Sequence, residues 1–340
     1  MGGMNMKTVY EDKTILITGG AGSIGSALAK KILDYNPKII RLLDINETRL
    51  FNLSNELNAD KIRILIGDIR DKERLARAIE DVDIVFHAAA LKHVSFCESN
   101  PFEAVQTNVL GTKNLLEVAM DEEIEKFVTI STDKAVNPVN VLGASKLLAE
   151  RLTVSANLYK GARTTTFSCV RFGNVLNSQG SVVPIFRSQV AKGGPVRITD
   201  LGMTRFIMSM DDAVNLVLKA VQQSKGGETF ILKMPAVCIK DLAAAAIKEL
   251  APRYGYAPGN IEMEVIGRRE GERMFEELMN DDEAETVSDT DDMFVLPLFK
   301  PDGFHLNKGA REKTMEKMYK SNKSSFLSVE AIQQMLKRHI

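Results

Sequence analysis

"ITGGAGSIG", residues 17–25, lies between an apolar run and an amphipathic one, and this stretch decides the fold class. Its glycines have the spacing found where the first strand of a dinucleotide-binding βαβ unit turns into a helix. Gly19 can make the tight turn, Gly22 can let a pyrophosphate approach the backbone, and Gly25 can let helix and strand pack closely. The N-terminus of the helix then faces the phosphates. The loop residues predicted to contact a dinucleotide are Gly19, Gly22, Ser23, Ile24 and Gly25.

Short apolar runs alternate with amphipathic segments after this loop. The runs are apolar on both faces and bounded by polar residues or glycine, as buried parallel strands are; they cover residues 13–18, 38–44, 61–67, 82–89 and 126–131. Residues 26–35 and 101–120 carry apolar side chains three and four positions apart, which is typical of helices that cover a sheet. The sequence therefore predicts an α/β fold with a Rossmann-type doubly wound parallel sheet.

The second half has a different rhythm. From about Gly180 the elements become shorter and mixed, from "GGPVRIT" (193–199) to "IEMEVIG" (261–267). This change predicts a smaller C-terminal mixed α/β lobe. We expect a dinucleotide-binding domain over residues 8–180 and a mainly substrate-binding lobe over residues 181–340, with a chain that can cross between them.

Composition excludes several classes of partner. Lys plus Arg (44) nearly cancel Asp plus Glu (45), so no net charge favours nucleic acid or an anionic membrane. Cys97, Cys169 and Cys238 are scattered and lack metal-ligand spacing, which favours reduced thiols and no metal site. No apolar run approaches the roughly 20 residues of a membrane span. We expect a cytoplasmic protein without a membrane span or a nucleic-acid partner.

Two acids follow the second and third predicted strands. Asp44 lies at the end of the second strand, close to the spacing at which a carboxylate binds the adenosine ribose hydroxyls. A carboxylate there repels a ribose phosphate, so the sequence predicts NAD rather than NADP. The alternative is that Asp44 caps the next helix. In "GDIRD" (67–71), Asp68 with Ile69 is predicted to lie at the adenine edge, or else to form a turn.

"STDKAVNPVNVLGASK", residues 131–146, places an acid and an amine side by side. Asp133 and Lys134 follow the fifth predicted strand, at the sheet edge where α/β domains bind ligands. An acid and an amine in contact can donate and accept protons during a reaction. The alternative is a structural ion pair at a strand end.

Six motifs together resemble a known family. They are "TGGAGSIG" (18–25), "HAAALKHV" (87–94), "NPFEAVQTNVLGTKNL" (100–115), "STDKAVNP" (131–138), "VRFGNVLNSQGSVVPIF" (170–186) and "EGERMFEELM" (270–279). In this order they resemble the extended short-chain dehydrogenases/reductases, specifically the nucleotide-sugar 4,6-dehydratases of the polysaccharide-biosynthesis group that act on UDP-N-acetylglucosamine. The resemblance runs from about Lys13 to Leu278. Many members carry a membrane-spanning N-terminal half, and this chain resembles only their catalytic module.

The resemblance implies a reaction and its residues. Such enzymes take hydride from C4 of the sugar onto NAD, remove the C5 proton, expel the C6 hydroxyl as water and return hydride to C6. Asp133 matches the acid for C6 and Lys134 the base for C5, with Thr132 beside them. Lys134 must be neutral to act as a base, which Lys146 and a positive nicotinamide would favour, and burial would keep Asp133 protonated. Further implied cofactor contacts are Ala88, Ala89, Ala90, Lys92, Asn108 and Lys146.

Leu142 departs from the wider superfamily. Short-chain dehydrogenases usually have a tyrosine four residues before the lysine, where this chain reads "LGASK" (142–146). Either catalysis is lost or the C4 hydroxyl proton leaves by another route. Some dehydratases of this group carry an apolar residue such as methionine there, so retention of Asp133 and Lys134 favours an active enzyme. The alternatives are a UDP-sugar 4-epimerase, which depends on the missing phenol, and a catalytically silent NAD-binding regulator.

The later motifs are predicted to bind the UDP-sugar. Guanidinium groups bind phosphate in a bidentate manner, so Arg205 and Arg269 are candidate diphosphate ligands. The alternative is that both arginines form ion pairs at the surface. Where the family usually reads GLRPGEK, this chain has "GRREGER" (267–273), which changes Arg268 and Glu270. We also expect a homo-oligomer, a dimer or larger. The candidate substrate residues are Lys92, Asn174, Ser181, Val182, Arg205, Arg269 and Glu272.

Overall fold

The computed structural model describes residues 6–57, 60–298 and 319–339. Within them the chain forms two compact units. The first unit contains residues 6–57, 60–171, 214–232 and 286–298, and the second contains residues 172–213, 233–285 and 319–339. Residues 58, 59, 299–318 and 340, which the predicted domains also include, lie outside the described residues. The chain therefore leaves the first unit and re-enters it twice.

The first unit is built on a nine-stranded sheet. Its strands are β1 (Thr14–Thr18), β2 (Ile39–Asp44), β3 (Ile62–Ile66), β4 (Ile84–His87), β5 (Lys126–Thr132), β6 (Thr166–Phe172), β10 (Thr229–Leu232), β13 (Ser288–Asp289) and β14 (Met293–Leu296). Their order is β13-β14-β10-β6-β5-β4-β1-β2-β3. The β3-β2-β1-β4-β5 run and the β6–β10 pair are parallel, whereas β14 is antiparallel to β10 and to β13. The predicted doubly wound sheet is confirmed.

Helices complete the first unit, and most of them connect its strands. They are α1 (Met6–Tyr10), α2 (Ser23–Leu33), α3 (Glu47–Leu57), α4 (Lys72–Ile79), α5 (Val94–Ser99), α6 (Pro101–Ala104), α7 (Thr112–Asp121) and α8 (Val141–Tyr159). The predicted helix over 101–120 is interrupted by a π-helix at Val105–Gly111. A side chain at Gly111 would begin 2.7 Å from the Ile69 side chain, so this turn lies close to the end of β3. Helix α10 (Met210–Gln223) is divided between the units: residues 210–213 belong to the second unit and residues 214–223 to the first.

The core of the first unit explains why its strands are apolar on both faces. All five residues of β1 are buried, as a central parallel strand covered by helices requires. One core cluster joins the sheet to α4, α7 and α8 through Leu16, Val85, Phe127, Phe167, Leu75, Leu115 and Ala156. The order of the strands reverses between β1 and β4, so the carboxyl ends of these two strands form the switch point where such sheets bind ligands.

The second unit contains smaller mixed elements, as the sequence predicted. Strands β7 (Asn174–Val175), β9 (Thr204–Met208) and β11 (Ala236–Cys238) form one sheet, and β8 (Val196–Ile198) pairs with β12 (Met263–Val265). Its helices are α9 (Val182–Val190), α11 (Ile239–Leu250), α12 (Asp281–Thr286) and α13 (Val329–His339). Buried alanine and leucine side chains of α11 pack with α9 and with Ile332 and Leu336 of α13.

None of the described helices is both long enough and apolar enough to cross a membrane. Nowhere in the described part of the chain do three or more histidine, cysteine or carboxylate side chains lie together as metal ligands would.

Candidate active site

The glycine loop lies at the switch point of the first unit. Gly19 has φ +67° and follows β1, and a Cβ there would lie 2.7 Å from the backbone nitrogen of Ala89. A Cβ on Gly25 would lie 2.3 Å from the carbonyl oxygen of Gly19. Both clashes are with backbone, so larger residues would force the loop or α2 to move. Gly22 is the N-cap of α2 and provides no side-chain acceptor, which leaves the helix N-terminus open to an anion such as a phosphate.

Asp44 bridges the glycine loop to the turn after β2. Its Oδ2 accepts a hydrogen bond from the backbone of Ala21 at 3.1 Å, and its Oδ1 accepts one from the backbone of Asn46 at 3.0 Å. The cap of α3 comes from Asn46, whose side chain accepts from the backbone of Arg49 at 3.0 Å. A carboxylate has about four acceptor positions, so Asp44 can still accept from two hydroxyl groups.

Asp68 and Ile69, the candidates for the adenine edge, are already in contact with other residues. Asp68 accepts hydrogen bonds from the backbone and guanidinium of Arg70 at 2.9 and 2.8 Å. Partial burial opposes its ionisation, but these hydrogen bonds dominate and hold the pKa of Asp68 below its usual value. Ile69 is buried in the core against Gly111. A ligand at this edge would therefore meet the Ile69 backbone rather than its side chain.

The loop after β4 places further candidates beside the glycine loop. The backbone of Ala88 donates to the Thr18 carbonyl at 3.1 Å, so Ala88, Ala89 and Ala90 run past Gly19 at the switch point. Lys92 follows with an exposed side chain. Asn108 is buried and donates to the Leu91 carbonyl at 3.1 Å, while its oxygen accepts from the Leu91 backbone at 2.8 Å. Asn108 thus holds this loop in place.

The acid–amine pair lies at the carboxyl end of β5. Asp133 is fully buried, and its Oδ1 accepts hydrogen bonds from the Thr132 hydroxyl and from Lys134 Nζ, each at 2.9 Å. Oδ2 of Asp133 is also buried and has no hydrogen-bond partner among the described residues. Unpaired buried carboxylate oxygens are costly and uncommon, so this atom marks a position for a ligand group.

Helix α8 begins directly after this pair. Asn140 caps it by accepting from the backbone of Gly143 at 2.8 Å. A Cβ at Gly143 would lie 2.2 Å from the Lys134 carbonyl oxygen, so only glycine lets the helix approach the pair this closely. One turn further, Lys146 is buried and donates from Nζ to the Ile130 carbonyl at 2.6 Å. Burial lowers the pKa of Lys146, and the charge of Glu150 opposes that change.

Leu142 has a packing role in this structure. Its side chain is 3% exposed and forms an apolar cluster with Cys97 and Ala104, joined by the half-buried Leu91 and Val94. Its position on α8 is therefore filled by hydrophobic contacts to α5 and α6.

The second unit holds the remaining candidates. Asn174 donates to the Phe206 carbonyl at 3.1 Å within the β7–β9 pair. Ser181 is the N-cap of α9, of which Val182 is the first residue. The hydroxyl of Ser181 is buried without a hydrogen-bond partner among the described residues. The helix N-terminus and this hydroxyl together can accommodate an anionic or hydroxylic ligand.

The two candidate arginines of the second unit differ in their partners. The guanidinium of Arg205 donates to the carbonyls of Thr204 and Arg273 at 2.7 and 2.8 Å, so it holds the 272–276 segment. Glu272 accepts from the backbone of Arg269 at 3.1 Å, which fixes that turn. The Arg269 side chain is exposed, and none of the described residues forms an ion pair with it.

A family model described as "Polysaccharide biosynthesis protein" matches residues 15–297. The chain belongs to this family. An uncharacterized membrane protein of Methanocaldococcus jannaschii is 61% identical over 98% of both chains. A UDP-N-acetylglucosamine 4,6-dehydratase (inverting) of Campylobacter jejuni is 40% identical over 85% of this chain and 84% of its own length.

Other relatives have a second activity in their names. A UDP-glucose 4-epimerase of Rickettsia canadensis is 36% identical over 96% of both chains. The solved structure of Pen from Bacillus thuringiensis has a TM-score of 0.90 and 41% identity, covering 98% of this chain and 99% of that one. The chain is thus an enzyme of the sugar dehydratase/epimerase family of short-chain dehydrogenases/reductases, as its motifs indicated.

This member of the polysaccharide biosynthesis protein family contains a buried ion pair that the sequence analysis did not identify. Arg171 on β6 donates from Nε and Nη2 to the two carboxylate oxygens of Glu150 on α8, at 3.0 and 2.7 Å. Both side chains are almost completely buried. The signal in the sequence was an arginine inside the apolar run "FSCVRF" (167–172), since arginine is seldom buried without a partner.

His87 is held as a neutral structural residue. Thr112 donates its hydroxyl proton to the Asn108 carbonyl at 2.7 Å, so it must accept from His87 Nε2 at 2.8 Å. His87 Nδ1 is then the acceptor from Thr18 at 2.8 Å. Burial, and secondarily the charge of Lys146, lowers the pKa of His87 to about 3.

The neutral state of His87 predicts loss of stability in mild acid. As the pH falls from 6.5 towards 3, the unfolded chain binds a proton at His87 that the folded chain does not bind. Each pH unit in that window should remove about 1.4 kcal/mol from the free energy of unfolding. In the His87→Gln variant, we expect the free energy of unfolding to fall less steeply with decreasing pH, by about 1.4 kcal/mol per pH unit. Urea denaturation at several pH values between 6.5 and 3 measures this difference. Parallel curves for the two proteins would contradict the neutral assignment.

Proposed function

We propose that this enzyme is a nucleotide-sugar 4,6-dehydratase that binds NAD and acts on UDP-N-acetylglucosamine. The observation that carries the proposal is the buried Asp133, which is bonded to Lys134 through one oxygen while its other oxygen has no partner among the described residues. A 4-epimerisation moves hydride at C4 alone. Elimination across C5 and C6 needs both a base and an acid, and this pair provides them.

The first unit contains residues that fit NAD. Gly19 and Gly25 permit a tight turn in which a Cβ would clash with backbone, and the open N-terminus of α2 suits a pyrophosphate. We propose that Asp44 binds the adenosine ribose hydroxyls and that Lys146 binds the nicotinamide ribose. Bound NAD would supply the hydride acceptor and donor that a 4,6-dehydration needs. In the second unit, we propose that Asn174, Ser181 and Arg269 bind the UDP-sugar, and that Arg205 and Glu272 position the 269–276 segment.

The pair can reach its working state without gaining or losing a proton. A proton shift from Lys134 to Asp133 converts the ion pair into an amine and a carboxylic acid, the base and the acid that an elimination needs. Placing the proton on Oδ2 leaves Oδ1 as the acceptor of the hydrogen bonds from Thr132 and Lys134. The state with both an acid and a base is therefore compatible with the observed contacts.

The elimination returns the pair to its ionic form. The Lys134 lone pair takes the C5 proton, and the electron pair of that bond forms the C5–C6 double bond. The C6 hydroxyl departs with the Asp133 proton as water. Lys134 is then an ammonium and Asp133 a carboxylate, which stabilise each other across their 2.9 Å hydrogen bond.

Mass spectrometry of the products tests this function. Incubation with UDP-N-acetylglucosamine should give a sugar nucleotide lighter by one water, with no net release of NADH. A product of unchanged mass would favour a UDP-sugar 4-epimerase, the name that the Rickettsia relatives carry. Absence of turnover with any UDP-sugar would favour a silent NAD-binding protein. We disfavour the epimerase because Leu142 offers no proton and is packed into the apolar cluster with Cys97.

The packing of Leu142 gives a separate prediction. Leu142→Met preserves the side-chain volume and should cost less than about 1.5 kcal/mol of stability while activity is retained. Leu142→Ala should leave a cavity and cost about 2 to 5 kcal/mol in urea denaturation. A folded Leu142→Met variant without activity would show that Leu142 takes part in the chemistry.

A further inference from the structure

Three charged side chains are buried together in the first unit. Lys146 and Glu150 lie four residues apart on α8, which places them on one face of the helix. Arg171 on β6 binds both oxygens of the Glu150 carboxylate at 3.0 and 2.7 Å. Glu150 and Arg171 are 3% and 1% exposed, and Lys146 is 7% exposed. Water can therefore do little to stabilise the charge of Lys146.

The groups around Lys146 leave its charge dependent on Glu150. From β4, His87 is neutral, since its pKa is about 3. From β6, burial raises the pKa of the Cys169 thiol, so that thiol is also neutral. Arg171 on the same strand adds positive charge. At the end of β5, against which α8 also packs, Asp133 is bonded to Lys134. Among the described residues, Glu150 is thus the negative group that acts on Lys146 at neutral pH.

We propose that Glu150, oriented by Arg171, is a positioning residue that keeps Lys146 a charged ammonium fixed on the carbonyl of Ile130. This inference rests on the proposed function, in which Lys146 binds the nicotinamide ribose. An ammonium has three N–H donors, and one of them is used by Ile130 at 2.6 Å. The other two are available to ribose hydroxyls. Loss of the Glu150 charge would favour the amine, which donates one fewer hydrogen bond.

Two variants with opposite expected shifts test this inference. In protein labelled with ¹³C at lysine Cε, the Lys146 resonance is assigned from its absence in Lys146→Met, and its titration is followed with pH. Glu150→Gln should move the midpoint down by about one pH unit or more, the scale of a lost opposite charge nearby. Arg171→Gln should move it up, because the Glu150 charge then acts on Lys146 alone. Glu117→Gln, the same change at a partly buried carboxylate on α7, should leave it unmoved.

A purely structural role would not produce opposite shifts. Equal shifts in one direction, or none, would overturn the inference. If Arg171→Gln does not fold, the double variant Glu150→Gln/Arg171→Gln replaces the ion pair by two neutral side chains that can form hydrogen bonds. In that variant, a lowered midpoint of the Lys146 titration supports the inference and an unchanged midpoint overturns it.

Calorimetry of NAD binding separates this inference from the proposed function. At about pH 9, Glu150→Gln should bind NAD more weakly than the unmodified protein by up to about tenfold, the largest factor by which a fall of about one pH unit in the Lys146 midpoint reduces its charged fraction. Equal affinities at that pH would overturn the link to the cofactor. An unmodified protein that binds no NAD would overturn the proposed function, while the lysine titration would still decide the role of Glu150.

Discussion

Replacing Lys134 by methionine is expected to lower product formation by about 10²-fold or more, the usual scale for a lost general base. Methionine keeps the length and the apolar stem of the side chain but cannot take the C5 proton. Asp133→Asn should cause a loss of similar size, because the amide has no acidic proton for the departing C6 hydroxyl. Turnover of UDP-N-acetylglucosamine, followed by chromatography of the sugar nucleotides, measures both losses.

The two variants should differ in one respect. Exchange of the C5 proton with deuterated solvent should vanish in Lys134→Met, since the base is gone. The matched control is Leu142→Met in the first turn of α8. This variant exchanges one apolar side chain for another and should keep most of the activity. Normal turnover by both Asp133→Asn and Lys134→Met would show that the pair is only a structural ion pair.

The protein is expected to bind NAD about 10²-fold more tightly than NADP. The Asp44 carboxylate would face the extra ribose phosphate with like charge, and a penalty of about 3 kcal/mol corresponds to that ratio. Asp44→Asn should bring the two affinities within about tenfold of each other, mainly by improving NADP binding. Calorimetry with each nucleotide measures the ratio.

The control for this prediction makes the same chemical change elsewhere in the first unit. Asp34, at the other end of α2, has an exposed carboxylate, and Asp34→Asn should keep the full preference for NAD. Equal or tighter NADP binding by the unmodified protein would remove Asp44 from the ribose site.

Features set by local chemistry were predictable from the sequence. Gly19 makes the turn after a buried strand, and its positive φ is one that glycine adopts without strain. Asp133 and Lys134 are neighbours in the chain, so their contact at the end of β5 needed only the correct placement of that strand. The apolar runs gave the parallel sheet because a strand covered on both faces must be apolar on both.

Features set by packing between distant segments were not predictable in this way. The pairing of Glu150 with Arg171 depends on how α8 lies against β6, which a hydrophobic pattern does not specify. The sequence identifies Leu142 only as the replacement of a proton-carrying tyrosine, because its contacts with Cys97 depend on where α5 lies. The sequence makes Arg205 a candidate diphosphate ligand, and its hydrogen bonds to the carbonyls of Thr204 and Arg273 depend on segments that are distant in the chain.

The central claim is that Asp133 and Lys134 carry out an elimination across C5 and C6. The most direct test is the reaction of the unmodified protein with UDP-N-acetylglucosamine in deuterated water, with the product examined by NMR. The claim predicts a 4-keto-6-deoxy sugar nucleotide that carries deuterium at C5, because Lys134 exchanges the C5 proton with solvent. Formation of UDP-N-acetylgalactosamine with hydrogen retained at C5 would contradict it.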